Sequence, residues 1–544
     1  LNEGDNVTEK VAQHLISLIR EQGTQHVFGV PSGAWLPYMD AMKNGGVEFV
    51  LVANEASAGF MATSYAWLKQ VPGVCYATLG PGATNLTTGV GSALLDRSPV
   101  IALTSEPPVS MDGRTTQMAI DQQTLMRPLT KWTTRLNAST VDATFRKAVQ
   151  IATAELPGPV HISLPGDIAD KEVPATRSSR IPPLPFGPPD TQSMVDMESL
   201  FKRSKRPVLA VGLTAVRLEL GELIARVAER HNIPVILTPM AKGLLSEDHP
   251  SYAGVLFHAL SDRVAETHRQ ADLVVGVGYD PVEFNYEEWM PTVDLIHLDS
   301  VPADIDALSY PSVTNVIGHP GPALERLADM DAISSGWDMQ ELAARRNKIF
   351  ADLSPSSSGF GPLAALSILR EVLPDSGIMA CDVGSHTHLI GQAWKTPHPY
   401  GLLMSNGWSA MGFGVPAAIG AKLAQPNREV ACVTGDGGFM MMAGEMATAK
   451  RLNLNMVFVV LVDNNLELIR IKQGRKGLST YGTLLFEDSI PGHQSLFGVP
   501  VLPAKDADSY RQALEQAFKT DGPVLVEAVI DSTEYDGLIL KKHK

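Results

Sequence analysis

Two apolar runs, separated by a glycine-acid turn and a helical stretch, constrain this chain most. Val430-Ala431-Cys432-Val433-Thr434 reads as a short buried strand and runs straight into Gly435-Asp436-Gly437-Gly438. Met456-Val457-Phe458-Val459-Val460-Leu461-Val462 reads as a second strand and ends on Asp463-Asn464-Asn465. Runs this continuously apolar suit strands covered on both faces, and residues 445–451 between them are rich in strong helix formers. The unit is a βαβ crossover, whose parallel strands bring Asp436 and Asp463 to the same rim of a sheet. Bare glycine backbone lets a phosphate approach there, and a carboxylate can hold a hard cation. A surface turn uses Gly, Asp and Asn as well, so the motif needs support from elsewhere in the chain.

Three further segments run from strand into helix, two of them through a glycine turn. Phe49-Val50-Leu51-Val52 leads into a small-residue helix, 54–62, with Glu55 in its first turn. Alone, Glu55 reads as a helix cap. Val74-Cys75-Tyr76-Ala77-Thr78-Leu79 leads into Gly80-Pro81-Gly82-Ala83-Thr84-Asn85, and Ile378-Met379-Ala380-Cys381-Asp382-Val383 into Gly384-Ser385-His386.

The chain has 544 residues, too many for one core, and about three to four domains are expected. The fold class read from the sequence is α/β, with three doubly wound parallel-sheet domains. The boundaries expected are 1–172, a Pro-rich linker at 173–191, a central domain at 192–337, a helical linker at 338–358, and 359–544. A net charge of −15 without basic blocks argues against nucleic acid and anionic membrane surfaces. Cys75, Cys381 and Cys432 each fall in a strand, far apart, and form neither a disulfide framework nor a metal-spaced set. No apolar run approaches the ~18 residues of a membrane span. Residues 1–5 lack the blocks of a secretory signal, so a cytoplasmic location is expected.

Taken together, these segments resemble the thiamine-diphosphate (ThDP) enzymes of the acetolactate synthase-like group, which includes acetohydroxyacid synthase, pyruvate oxidase and carboxyethylarginine synthase. The family signature is a GDG followed some 27 positions later by a metal ligand, and 463 − 436 = 27 points to Asp463, with Asn465 contributing its carbonyl. Asn464 stays open as the alternative. The resemblance implies a Mg²⁺ site at Asp436, Asp463 and Asn465, and a diphosphate cradle at Gly435, Asp436, Gly437, Gly438, Gly384, Ser385 and His386. His386 also suits a solvated helix start.

Glu55 matches the essential glutamate that holds the aminopyrimidine in the tautomer able to take the thiazolium proton. Pro31, Gly80 and Asn85 line that half. Met411 matches the apolar prop that bends the cofactor, with the Ser409 carbonyl beside the pyrimidine; ordinary core packing is the plain alternative for Met411. Gln117 matches a pocket glutamine of carboligating relatives and is otherwise a polar loop residue. Ser32, Gly33, Ala34, Trp35, Trp408, Leu466 and Arg470 are expected to border the substrate pocket. Arg470 can receive a carboxylate, or be a surface residue.

In the central unit Gly276-Val277-Gly278-Tyr279-Asp280 is only a fragment of a dinucleotide fingerprint, and residues 278–283 with Trp289 resemble the flavin-free catabolic type, so FAD is not expected. The function implied is decarboxylation of a 2-keto acid with transfer of the acyl unit to a second carbonyl. A non-ligating decarboxylase, an acyloin or 2-hydroxyacyl lyase, and a degenerate structural or regulatory ThDP-binding protein are the alternatives. Because the pyrimidine and diphosphate halves come from different subunits in this family, a homodimer is the minimum and a homotetramer is expected.

Overall fold

In the computed structural model, residues 8–175, 179–182, 184, 186–355, 359–486 and 494–539 are described. Residues 1–5, parts of the Pro-rich linker at 176–178, 183 and 185, and 356–358 of the second linker lie outside the described residues. Three sheets carry the fold, each with α-helices in its crossovers, so the α/β class with three parallel-sheet units holds.

The first sheet runs Glu48–Leu51, His26–Gly29, Gly73–Ala77, Val100–Glu106, Val160–Pro165, Trp132–Arg135, all parallel. The central sheet runs Tyr252–Val255, Val235–Leu237, Pro207–Val211, Leu273–Val277, Asp294–Asp299, Val313–Ile317, also all parallel. The third places Ile378–Cys381, Val430–Gly435 and Val457–Val462 side by side and parallel, followed by Val524–Val529 and Val499–Ala504, with a short antiparallel strand, Ser495–Leu496, at its edge.

The strand Val457–Val462 shows why its sequence has no polar alternation. Val457, Val459 and Leu461 pack into one core, and Phe458, Val460 and Val462 into another on the opposite face. The period of two is preserved, but both faces are apolar because helices cover both. Cys75, Cys381 and Cys432 lie within strands, buried and unbridged.

The small-residue helices have a packing reason. Glu55–Lys69 is capped by Asn54, whose side chain accepts from the Ala56 N–H at 2.8 Å. It packs against Pro81–Leu95 of its own unit and Gly414–Ala424 of the third. A Cβ on Gly59 would stand 2.6 Å from the backbone of Gly89, and one on Gly420 would stand 2.5 Å from the Met61 carbonyl. Only glycine permits helices to approach this closely, so the first and third units join through backbone contact.

The helical stretch begins earlier than the run 445–451 indicates: Asp436 opens the helix Asp436–Met442 directly after the strand. The helix Glu445–Arg451 follows it.

Candidate functional site

Three neighbouring parallel strands of the third unit each end in an aspartate. Asp382 follows Ile378–Cys381, Asp436 follows Val430–Gly435, and Asp463 follows Val457–Val462. Their register places these ends on one rim. Asp436 is buried and works on the chain around it. Its Oδ2 accepts from the backbone N–H groups of Asp463 (3.2 Å) and Asn464 (2.7 Å), and its Oδ1 from that of Gly437 (2.8 Å).

Asn464 takes φ 60°, which turns the chain so that Asp463, not Asn464, lines the cavity at this rim. The Asn464 Oδ1 is buried without a partner. Burial, then the charge of Asp436, push the Asp463 carboxyl up to about 8, and burial also raises Asp436. Two acids held together away from water are disfavoured as a pair of anions, and a divalent cation between them removes the conflict.

The same cavity is lined by Gly384, Ser385, His386, Met411, Gly435, Asp436, Gly437, Gly438, Asp463, Asn465 and Leu466, all of which the sequence had singled out. The Ser385 Oγ and His386 Nε2 are buried and without partners there, at the start of the helix Ser385–Ala393, where an anion is favoured. Burial lowers His386 to about 4, so it stands neutral. A Cβ on Gly437 would come within 2.9 Å of Leu466 and 3.4 Å of Met411, so glycine keeps the floor open. Unpartnered polar groups at a helix start, a paired acid and a bare glycine floor fit a metal-bound diphosphate.

Glu55 lies elsewhere in the chain. It is buried to 9% exposure, and the Asn85 side-chain amide donates to its Oε2 at 3.1 Å. Gly80, at φ 63°, makes the turn before the helix bearing Asn85; a Cβ there would meet the Met118 carbonyl at 2.6 Å. Gln117 is exposed beside this turn. Pro31, Ser32, Gly33 and Ala34 follow the strand His26–Gly29 and are at least partly exposed, with the Ser32 Oγ 2.7 Å from the Tyr76 hydroxyl. None of these residues, nor the exposed Ser409, lines the Asp436 cavity within the chain.

Three residues expected at the pocket are placed as follows. Trp35 is fully buried: the turn Gly33–Trp35 swings its indole inward to stack on Tyr76, centroids 3.9 Å apart. Trp408 packs against Gly91 of the first unit, where a Cβ would stand 2.7 Å from the indole, and forms part of the junction between units. Arg470 is not a free cation: Glu467 Oε1 takes its Nε at 2.7 Å, and Asp536 Oδ1 takes its Nη2 at 2.9 Å.

Other buried acids hold the arrangement, and sequence reasoning did not single them out. Asp382 accepts from the Gly412 N–H at 2.8 Å and the Thr434 hydroxyl at 2.8 Å, fixing both the Met411 loop and the strand before Asp436. Asp96 accepts from Ser92, Ser405 and the Gly407 N–H at 2.7, 2.6 and 2.9 Å, tying the first unit to the loop before Ser409. Glu445 is fully buried in the third unit and accepts from the N–H groups of Ala53 (2.9 Å) and Asn54 (3.2 Å), immediately before Glu55. Removing that carboxylate leaves these two N–H groups and the buried Thr448 hydroxyl, which donates to it at 2.7 Å, without their acceptor. Glu445→Ala is expected to lower unfolding free energy by about 2–4 kcal/mol, and Glu445→Gln by less, in urea denaturation.

Comparisons with known proteins agree with this geometry. Residues 9–125 match the thiamine pyrophosphate enzyme N-terminal TPP binding domain, 196–327 the central domain, and 382–528 the C-terminal TPP binding domain. A probable acetolactate synthase large subunit of Methanocaldococcus jannaschii is 31% identical over 552 residues, covering 96% of this chain and 92% of its own. Acetolactate synthase of Bacillus subtilis is 29% identical over 548 residues, covering 97% and 94%. Acetolactate synthase isozyme 1 large subunit of Escherichia coli is 29% identical over 542 residues, covering 96% and 94%. With both cofactor-binding domains, the central domain and near full-length similarity in place, the chain belongs to the acetolactate synthase-like family of thiamine pyrophosphate enzymes.

Proposed function

We propose that the protein uses ThDP and Mg²⁺ to decarboxylate a 2-keto acid of the pyruvate kind and to join the acyl unit to a second carbonyl. The observation that carries this reading is the Asp436–Asp463 pair at a glycine-floored cavity opposite Met411, in a chain similar along its whole length to acetolactate synthases. Asp436, Asp463 and the Asn465 carbonyl hold the metal; Ser385, His386 and the Gly437–Gly438 backbone receive the diphosphate. When bound, ThDP supplies the electron sink that lets a bond next to a carbonyl break.

The residues of the chain do the rest. Glu55, held by the Asn85 amide and given room by Gly82, would hydrogen-bond the aminopyrimidine of the bound cofactor and could exchange a proton with it, and burial would strengthen that contact. Met411 would prop the bound cofactor from the cavity wall, with its loop pinned through Asp382. Leu466, Leu468 and Ile469 exclude water from the reacting face.

Since Glu55 and the Asp436 cavity occupy separate places in one chain, a complete site takes Glu55 from one subunit and the metal half from another, and the working unit is a homodimer or larger. Purified protein given pyruvate, ThDP and Mg²⁺ is expected to release CO₂ and accumulate 2-acetolactate. Acetaldehyde as the main product would instead support a non-ligating decarboxylase, and no CO₂ from either pyruvate or hydroxypyruvate would refute the reading.

Metal binding carries a pH signature. Asp463 must lose its proton to coordinate, and its carboxyl sits at about 8 in the metal-free chain. Below that pH the proton competes with the metal. The affinity for Mg²⁺ and ThDP is therefore expected to rise with pH, by at most about ten-fold per unit, and to level off above about 8. His386, lowered to about 4, is neutral throughout this window and does not produce the trend. Titration of cofactor binding from pH 6 to 9 checks it, and an affinity flat across the range speaks against Asp463 as a ligand.

A further inference from the structure

We propose that Glu467 sets the substrate specificity of this pocket, and that the carbonyl compound taken there carries a hydroxyl group in place of a plain alkyl chain. The inference rests on the cavity's being the reaction pocket, and it narrows the substrate class.

Glu467 opens the helix Glu467–Arg475 and lines the cavity with its side chain 3% exposed. Its two oxygens have different fates. Oε1 accepts from the Nε and Nη2 of Arg470, at 2.7 and 2.5 Å, while Oε2 is buried with no hydrogen-bond partner. A buried acceptor left alone is costly, so a group that donates to it recovers much of that cost on binding.

Charge supports the same conclusion. Arg470 is shared between Glu467 and Asp536, so the three groups carry one net negative charge, and the cation that would meet a substrate carboxylate is already committed. Among the described residues, no Lys or Arg lines the cavity. Asp436 and Asp463 face the metal, and His386 and Ser385 lie at the diphosphate wall. The rest of the lining is mostly apolar, with Leu466, Leu468, Ile469 and Met411 among it, and Asn465 and Tyr535 are its other polar side chains.

One unpartnered carboxylate oxygen in a largely apolar wall suits a ligand with one donor. An ammonium brings three N–H groups and would leave two unpaired, whereas a hydroxyl brings one. A site that hydrogen-bonds a substrate hydroxyl also rejects the analogue with a methyl in its place, because the buried carboxylate is then left alone.

The test uses the full-length protein with ThDP and Mg²⁺ and two nearly isosteric 2-keto acids, hydroxypyruvate and 2-oxobutyrate. Wild type is expected to favour hydroxypyruvate in kcat/KM by about ten-fold or more. Glu467→Leu, in which Arg470 keeps Asp536 as partner, is expected to reverse the preference. Glu467→Gln preserves shape and is expected to reduce it. A binding readout needs no reaction: in saturation-transfer NMR on cofactor-free protein, hydroxyacetone is expected to bind wild type and to be lost from Glu467→Leu, with butanone binding no worse in the variant. Equal rates for the two acids, or a preference that survives Glu467→Leu, would overturn the proposal while leaving the proposed function intact. If neither acid is decarboxylated by protein that binds ThDP, the reaction reading fails, and the NMR pair alone decides for or against Glu467.

Discussion

Glu55→Gln is expected to bind ThDP within a few-fold of wild type and to slow exchange of the thiazolium C2 proton by about 10²–10⁴-fold, the usual worth of a positioned acid-base group. The substitution is close to isosteric, and the environment tolerates it sterically. The Asn85 amide reaches one oxygen at 3.1 Å, and the other sits about where a Gly82 Cβ would touch it, at 3.2 Å. The helix start survives as well, since Asn54 supplies the cap and Glu445 takes the Ala53 and Asn54 N–H groups. What is lost is a carboxyl able to exchange a proton. Deuterium exchange at C2, followed by NMR after acid quench, separates the two effects, and exchange at the wild-type rate would remove Glu55 from the chemistry.

The second large effect is at Asp436. Replacing it with Ala is expected to weaken ThDP binding in Mg²⁺ by about 10²-fold or more. Two causes overlap there, because this carboxylate also accepts the N–H groups of Gly437, Asp463 and Asn464. Asp436→Asn separates them. The amide keeps an oxygen for backbone donors but carries no charge, so metal affinity is expected to fall nearly as far as in the Ala variant while the apo protein stays close to wild-type stability. Calorimetric titration and urea denaturation give the two quantities. An Asn variant that binds Mg²⁺ and ThDP normally would show the motif to be a structural turn.

Much of this architecture was legible from local pattern. Continuous apolar runs ending in Gly-Asp or Asp-Asn marked the strands and their functional rim, because a parallel sheet buries both faces of each strand and leaves only its carboxyl end for chemistry. The strands Pro207–Val211 and Leu273–Val277 have the bounds that their apolar runs indicate.

The contacts that local pattern does not disclose depend on partners far along the chain. Trp35 follows a Pro-Ser-Gly turn that looks exposed, and only the position of Tyr76 on the adjoining strand explains why its ring turns inward. Arg470 looked free because Asp536 is remote in sequence, although the i, i+3 spacing to Glu467 was a visible signal. Asp382 could have been found by the logic used for Asp436, an acid closing an apolar strand. Glu445 and Asp96 offered no such cue, since what they hold belongs to another unit.

Sharing of one site between two subunits is the central claim, and mixing two inactive variants tests it most directly. Glu55→Gln and Asp436→Ala chains, unfolded and reassembled together, form mixed dimers in which one site carries both substitutions and the other carries neither. Activity is then expected to recover to about one quarter of wild type, as symmetry requires when half the dimers are mixed and half their sites are intact. If each chain instead completes its own site, every site in the mixture keeps one defect and activity stays at the level of the separate variants.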